Sequence, residues 1–218
     1  MILKNIPWQI NTLIIMNKPL TENEYKLKMQ RRKEVQEQRL AQMKDDKGLI
    51  VVHTGNGKGK TTAALGMVIR SLGHGYKVAI VQFIKGAWLP AEKEVLEKWS
   101  NQLEFYAMGE GFTWETQDRE RDILMANKAW EKAKNFIINP EYKLVLLDEI
   151  NIALKLGYLN LEEVLNTLAE KPEDNHVILT GRGAKSELVE MADLVTEMKL
   201  IKHPFKEQGI KAQAGIEF

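Results

Sequence analysis

Residues Thr54-Gly55-Asn56-Gly57-Lys58-Gly59-Lys60-Thr61-Thr62 stand between two stretches of opposite character. Ahead of them, Leu49-Ile50-Val51-Val52-His53 is a short β-branched apolar run, the pattern of a buried strand. Behind them, Ala63 to Leu72 is a run of helix formers with apolar residues on one face. Strand, glycine-rich turn, Lys-Thr and helix are the setting a phosphate-binding loop requires. Glycines let backbone N–H groups converge on an anion, and the helix N-terminus adds partial positive charge. Lys60 would then reach the phosphates, and the Thr61 hydroxyl is placed to ligate Mg²⁺. The usual spacing puts a glycine where this chain has Thr54, so the loop is a shortened variant.

Bulk properties narrow the field around that loop. A chain of 218 residues with 44% hydrophobic content is long and apolar enough for one sizeable core. The formal net charge of +1 offers no global attraction to nucleic acid or to a membrane surface. No cysteine is present, which removes disulfides, thiolate metal sites and a cysteine nucleophile, and agrees with a reducing cytoplasm. Asn5, Pro7, Gln9, Asn11 and Thr12 interrupt the apolar character of the first twenty residues, so these match neither a signal peptide nor a membrane span. Met16 is a second candidate for the initiating residue.

The remainder alternates. Thr21 with Glu24 forms the pattern of a capping box, predicting a polar helix over about 22–43. Strands are expected over Lys77–Ile84, Leu103–Met108, Leu144–Leu147, His176–Thr180 and Leu194–Ile201. Helices are expected over Pro90–Trp99, about Gln117–Ile138, around Leu161–Leu168, and over Ser186–Met191. In the second of these, Ile123, Ala126, Trp130, Ala133 and Ile137 recur at helical spacing. Strands alternating with helices predict an α/β fold: a mostly parallel sheet with helices on both faces. The division expected is an N-terminal extension and helical arm over residues 1–46, followed by one nucleotide-binding domain over 47–218.

Ligands of such sheets lie at the carboxyl ends of the strands. Besides the phosphate loop, three polar clusters fall there: Met108-Gly109-Glu110-Gly111, Asp148-Glu149, and Gly181-Arg182-Gly183. Alone, Asp148-Glu149 is an ordinary polar strand exit; beside a phosphate loop it is the carboxylate half of a Mg²⁺-nucleotide site. Arg182, between two glycines, has a fork suited to phosphate. Phe112 and Trp114 follow a glycine hinge and would give a planar ligand a flat apolar wall. The four histidines stand singly, without metal-ligand spacing.

Four motifs taken together carry a resemblance: Gly55 to Thr62, Gly109 to Thr116, Asp148-Glu149-Ile150-Asn151, and Thr180-Gly181-Arg182-Gly183. In this order, over about Lys47 to the C-terminus, they resemble the P-loop (RecA-like) ATP:corrinoid adenosyltransferases. The resemblance implies transfer of the 5′-deoxyadenosyl group of ATP to Co(I) of a corrinoid, releasing triphosphate, in adenosylcobalamin biosynthesis or salvage. It implies ATP bound reversed relative to ordinary P-loop enzymes, which gives the shortened loop a meaning. It assigns Gly55, Asn56, Gly57, Lys58, Gly59, Lys60, Thr61, Thr62 and Arg182 to ATP, and Thr61 and Glu149 to Mg²⁺. Lys60, Thr61 and Glu149 become the catalytic set. Met108, Gly109, Gly111, Phe112 and Trp114 become the corrinoid loop, with Phe112 and Trp114 on the lower corrin face, where they would leave a four-coordinate Co(II). It further implies a homodimer, a reduced flavodoxin-like flavoprotein as electron donor, and an N-terminal helix that closes over the corrinoid. The competing readings are a phosphoryl-transfer kinase or ATPase, which gives Phe112 and Trp114 no task, and a nucleotide or corrinoid binder without turnover. A RecA-like nucleic-acid module conflicts with the near-neutral charge.

Overall fold

The computed structural model describes residues 20–43, 47–84, 91–96, 98, 101–107 and 118–216. The chain divides into two compact units, Met1–Asp45 and Asp46–Phe218. In the first, helix α1 (Glu22–Leu40) opens on the expected capping box: Thr21 Oγ1 accepts from Glu24 N–H, and the Glu24 carboxylate accepts from Thr21 N–H at 2.8 Å. It ends at Leu40, short of Met43, and buries none of its residues within the unit. Exposed pairs Glu22–Lys26 and Lys33–Glu37 supply only a few tenths of a kcal/mol each.

The second unit is built on one sheet of six strands: β1 (Ile50–Thr54), β2 (Lys77–Gln82), β3 (Leu103–Ala107), β4 (Tyr142–Asp148), β5 (His176–Thr180) and β6 (Leu194–Glu197). Their spatial order is β3-β2-β4-β5-β1-β6, and every pairing is parallel. Around them lie α2 (Lys60–Gly73), α3 (Ala91–Leu96), α4 (Arg119–Ile137), α5 (Ile150–Lys155), α6 (Leu161–Ala169), α7 (Ser186–Met191) and α8 (Pro204–Gln208). Among the described residues no helix is long and apolar enough to cross a membrane.

Strand alternation sorts the core into two layers. Val51, Val78, Ile80, Leu144, Leu146 and Ile178 pack with Ala64, Leu65, Val68 and Leu72 of α2. Their neighbours Val52, Ala79, Val81, Val145, Leu147, Val177 and Leu179 pack with Ala126, Ala129, Trp130, Ala133 and Ile137 of α4. A strand buried on both faces is apolar throughout, which is why Val78–Val81 and Leu144–Leu147 read as continuous runs.

Besides the early ends of α1 at Leu40 and β2 at Gln82, three features differ from the sequence-based expectation. Strand β6 stops at Glu197, because Met198 and Lys199 turn away to back the loop after β1. Helix α5 starts on Glu149, a non-glycine residue in the left-handed region at φ 61°, with no side-chain cap to announce it. Helix α8 was also unforeseen, although Pro204 at its start, the His203 ring accepting from Phe205 N–H and Gly209 at its end are ordinary cap signals.

Candidate active site

The loop after β1 is seated on the chain that follows β6. Gly57 N–H donates to the Met198 carbonyl at 2.6 Å, and Met198 N–H donates to the Thr54 carbonyl at 2.9 Å. At Gly55, with φ 95°, a Cβ would stand 2.4 Å from the Met198 carbonyl oxygen, so only glycine fits. Thr54 stands where the usual spacing has glycine, and its hydroxyl accepts a hydrogen bond from Ala184 N–H at 3.1 Å. That bond ties the glycine-rich loop to the Gly181–Gly183 turn after β5. Lys60, at the start of α2, is buried and donates to the Gly57 carbonyl at 2.8 Å. Asn56, Lys58 and Thr62 are exposed on the loop and the first turn of α2.

Asp148, at the end of β4, is 3% exposed and draws three elements together. Its Oδ1 accepts from the Thr61 hydroxyl at 2.9 Å and from the Thr180 hydroxyl at 2.7 Å. Its Oδ2 accepts from Gln82 Nε2 at 3.0 Å. Strand β5 lies between β1 and β4, so Thr180 bridges the two halves of the site. It also accepts Glu149 N–H at 2.9 Å. The Thr61 hydroxyl spends its hydrogen on Asp148 and keeps its lone pairs.

Glu149 is one of three residues at the site, with Gln82 and Asn151, that hold a buried oxygen without a partner. Its Oε2 is buried and has no hydrogen-bond partner. Burial first, and the Asp148 charge second, push its carboxyl up to about 7, against the opposing pull of Lys60 and Arg182. Lys60 is held below the usual lysine value, chiefly by burial, with Glu149 opposing the shift. The guanidinium of Arg182 is exposed on its turn, yet its field reaches both groups. Gly181, at φ 126°, fits under Glu149, and the turn is pinned by Asn151 Nδ2 donating to the Gly181 carbonyl at 3.2 Å.

The structure thus gathers Lys60, Thr61, Glu149, Arg182 and the whole run Gly55 to Thr62 at one edge of the sheet. Met108, Gly109, Gly111, Phe112 and Trp114 lie outside the described residues. The roles of Asp148, Thr54, Gln82, Thr180 and Asn151 in holding this edge were not foreseen. Gln82 and Thr180 are single polar residues ending apolar strands, and only the strand order makes them neighbours of Asp148. Besides His203 at the start of α8, two more histidines have structural partners: His53 Nδ1 meets the Lys60 carbonyl at 3.3 Å, and His176 Nδ1 accepts from Leu49 N–H at 3.0 Å.

Comparison with known proteins agrees with this geometry. Residues 46–218 match the family model described as ATP:corrinoid adenosyltransferase BtuR/CobO/CobP, and residues 16–40 match a model for the N-terminal part of cob(I)alamin adenosyltransferase. A corrinoid adenosyltransferase of Sinorhizobium sp is 56% identical over 194 residues, covering 88% of this chain and 90% of its own. Those of Pseudomonas aeruginosa and Escherichia coli K12 are 50% and 45% identical, covering 92% and 91% of this chain and 98% and 100% of theirs. A glycine-rich loop between strand and helix, adjacent carboxylates at the end of β4 and this likeness over most of the length converge: the chain belongs to the ATP:corrinoid adenosyltransferase family.

Proposed function

We propose that the chain carries out its family's transfer at the edge formed by β1, β4 and β5, with Lys60, Thr61 and Glu149 acting on the triphosphate of ATP. In the reaction, the electron pair of Co(I) forms a bond to C5′ while the C5′–O bond breaks and inorganic triphosphate leaves. Cobalt, brought by the corrinoid substrate, is the nucleophile, so the protein needs no nucleophilic side chain. What it supplies is orientation and stabilisation of the charge that grows on the leaving group.

The observation that carries this assignment is the bonding around Asp148. Its Oδ1 accepts two hydroxyls and its Oδ2 an amide, so most of its acceptor capacity is spent within the protein. Thr61 Oγ1 with free lone pairs and Glu149 Oε2, a carboxylate oxygen without a partner, are the oxygens best suited to a cation; the buried amide oxygens of Gln82 and Asn151 also lack partners. Hard oxygen donors of this kind suit Mg²⁺, which takes one or two protein ligands and completes its shell with water and phosphate. Among the described residues no cluster of three or more His, Asp or Glu side chains could hold a metal alone. Mg²⁺ would therefore be held by Thr61 and Glu149 together with the triphosphate, and when bound would neutralise charge on the leaving group. Lys60 supplies a buried positive charge beside it. Gly55, Asn56, Lys58, Gly59, Thr62 and Arg182 complete the ATP site. Gly57 gives its N–H to Met198, so its part is to seat Lys60 through its carbonyl.

The same reading extends to the corrinoid side. ATP lies reversed, with C5′ turned towards the loop holding Met108, Gly109, Gly111, Phe112 and Trp114. Phe112 and Trp114 cover the lower corrin face, and a reduced flavodoxin-like protein supplies the electron that makes Co(I). The enzyme works in the cytoplasm as a homodimer; residues 1–46 are an N-terminal extension and helical arm, and 47–218 are the nucleotide- and corrinoid-binding domain.

An anaerobic assay with ATP, Mg²⁺ and chemically reduced cob(I)alamin tests the assignment. A light-sensitive alkyl-cobalt spectrum with stoichiometric triphosphate is expected. Loss of at least tenfold in rate for Thr61→Val and Glu149→Gln, about what removing one well-placed charge-stabilising group costs, supports the roles given. ADP and phosphate with an unchanged corrinoid would overturn them.

A further inference from the structure

Gln82 closes β2 and is flanked in the sheet by Ala107 of β3 and Asp148 of β4. Its amide has a defined orientation. The Asp148 carboxylate faces it and accepts only, so Nε2 is the atom at 3.0 Å from Asp148 Oδ2. Its carbonyl Oε1 is buried and has no hydrogen-bond donor. A buried acceptor without a donor is costly and marks a place where a donor belongs. Glu149 Oε2, one residue beyond Asp148, is a second buried acceptor in the same condition. These two orphan acceptors and a third, Asn151 Oδ1 three residues beyond Asp148, call for a ligand rich in donors beside a carboxylate already occupied by protein donors. Mg²⁺ keeps several of its waters when it binds phosphates, and each such water is a polarised donor.

We propose that Gln82 is a positioning residue of the metal–triphosphate site: its N–H fixes Asp148, and its carbonyl oxygen receives a hydrogen bond from a water of the cation's shell. Through the first contact it keeps Asp148 Oδ1 turned towards the Thr61 hydroxyl, and through the second it holds the hydrated side of the ion. The inference rests on Mg²⁺ being bound at Thr61 and Glu149. It adds an element, β2, that leads through its neighbour β3 towards the corrinoid loop. Outer partners of this kind set metal affinity by about 10–100-fold in other metal sites.

The test uses the full chain saturated with inorganic triphosphate. Mn²⁺ is titrated in, and the bound ion is read by water-proton relaxation. Gln82→Met, which keeps the length and loses both hydrogen bonds, should bind Mn²⁺ about 10–100-fold more weakly than the natural chain. Its metal-free melting temperature should fall by no more than a few degrees, for the one hydrogen bond lost to Asp148. The Mg²⁺ concentration at half-maximal adenosyl transfer should rise by the same factor as the Mn²⁺ dissociation constant. Equal Mn²⁺ affinity in the natural chain and in Gln82→Met would overturn the role of Gln82 and leave the metal site standing. No bound Mn²⁺ in the natural chain would overturn the metal site itself. A loss seen with ATP but absent with inorganic triphosphate would give the missing donor to the nucleoside and overturn the water contact. Should Gln82→Met melt early, Gln82→Asn carries the same test, since it keeps the amide but withdraws it by one methylene. Unchanged affinity there would likewise overturn the proposal.

Discussion

Glu149 sits where burial and charge oppose each other, and the balance is measurable. Its carboxyl is raised from an ordinary 4.5 to about 7, mainly by burial and then by Asp148. A proton held more tightly in the folded state stabilises that state fully below pH 4.5, and this contribution is lost as pH rises through about 7. The metal-free protein should therefore lose stability between about pH 5 and pH 8, by at most about 3 kcal/mol. Glu149→Gln should flatten that window, as read from urea midpoints at the two pH values; an unchanged slope would remove Glu149 as its source. A cation needs the charged carboxylate, so Mg²⁺ affinity should move oppositely, rising with pH up to about 7 and levelling above it. Gly181 makes a second, steric prediction. An added Cβ would meet Asn151 Cβ at 3.0 Å and Glu149 Oε2 at 3.1 Å from a backbone at φ 126°. Gly181→Ala should cost about 1–3 kcal/mol in denaturant unfolding and weaken ATP binding by displacing the turn that carries Arg182. At this scale, the meeting of Lys60, Thr61 and Glu149 at the carboxyl ends of the strands was legible from residue type and spacing. The service of Thr54 was not: its departure from the glycine pattern gains a reason only when Ala184, far along the chain, donates to its hydroxyl.

Elements obey the same division between local and distant causes. The stripe on α4 was visible because helical spacing puts Ala126, Trp130, Ala133 and Ile137 on one face, and the structure adds Ala129 and Phe136 to it. Ile123, at the open end, is only half-buried. Trp130 is 1% exposed in the layer beneath β2 and β4, between alanines that let the helix approach closely. Trp130→Ala should leave a cavity costing about 3–5 kcal/mol, or about 6–20 °C in melting temperature for a domain of this size. Calorimetry would check it, and a shift under about 2 °C would show that the layer collapses around the gap. Strand identity was legible from apolar runs, but strand order was not. Nothing in the run His176–Thr180 says that it inserts between β1 and β4, since that depends on crossovers spanning more than a hundred residues. Helix α5 escaped notice for a different reason: it begins on a left-handed glutamate with no side-chain cap, so the usual start signal is missing.

At the scale of the whole second unit, the site lies where both core layers end. Val52 and Leu147 belong to one layer and Val51 and Leu146 to the other, and β1 and β4 lead from them to Thr54 and Asp148. The Thr61–Asp148–Thr180 bonds cross from α2 to β4 to β5, so a ligand that fastens them fastens a covering helix to two strands of the sheet. Binding at such a point is linked to global unfolding, because the loop, the carboxylates and the Gly181 turn come together only in the folded sheet. The predicted gain follows from mass action. MgATP at a hundred times its dissociation constant should add about 2.7 kcal/mol to the unfolding free energy, or about 5–11 °C in melting temperature. Chelating the metal should remove most of that gain, since Glu149 is then left as a buried acceptor facing phosphate. Lys60→Ala should abolish the response to MgATP while lowering the ligand-free melting temperature little, because the lysine's burial is itself a cost. A MgATP response that survives both chelation and Lys60→Ala would place the nucleotide elsewhere on the chain.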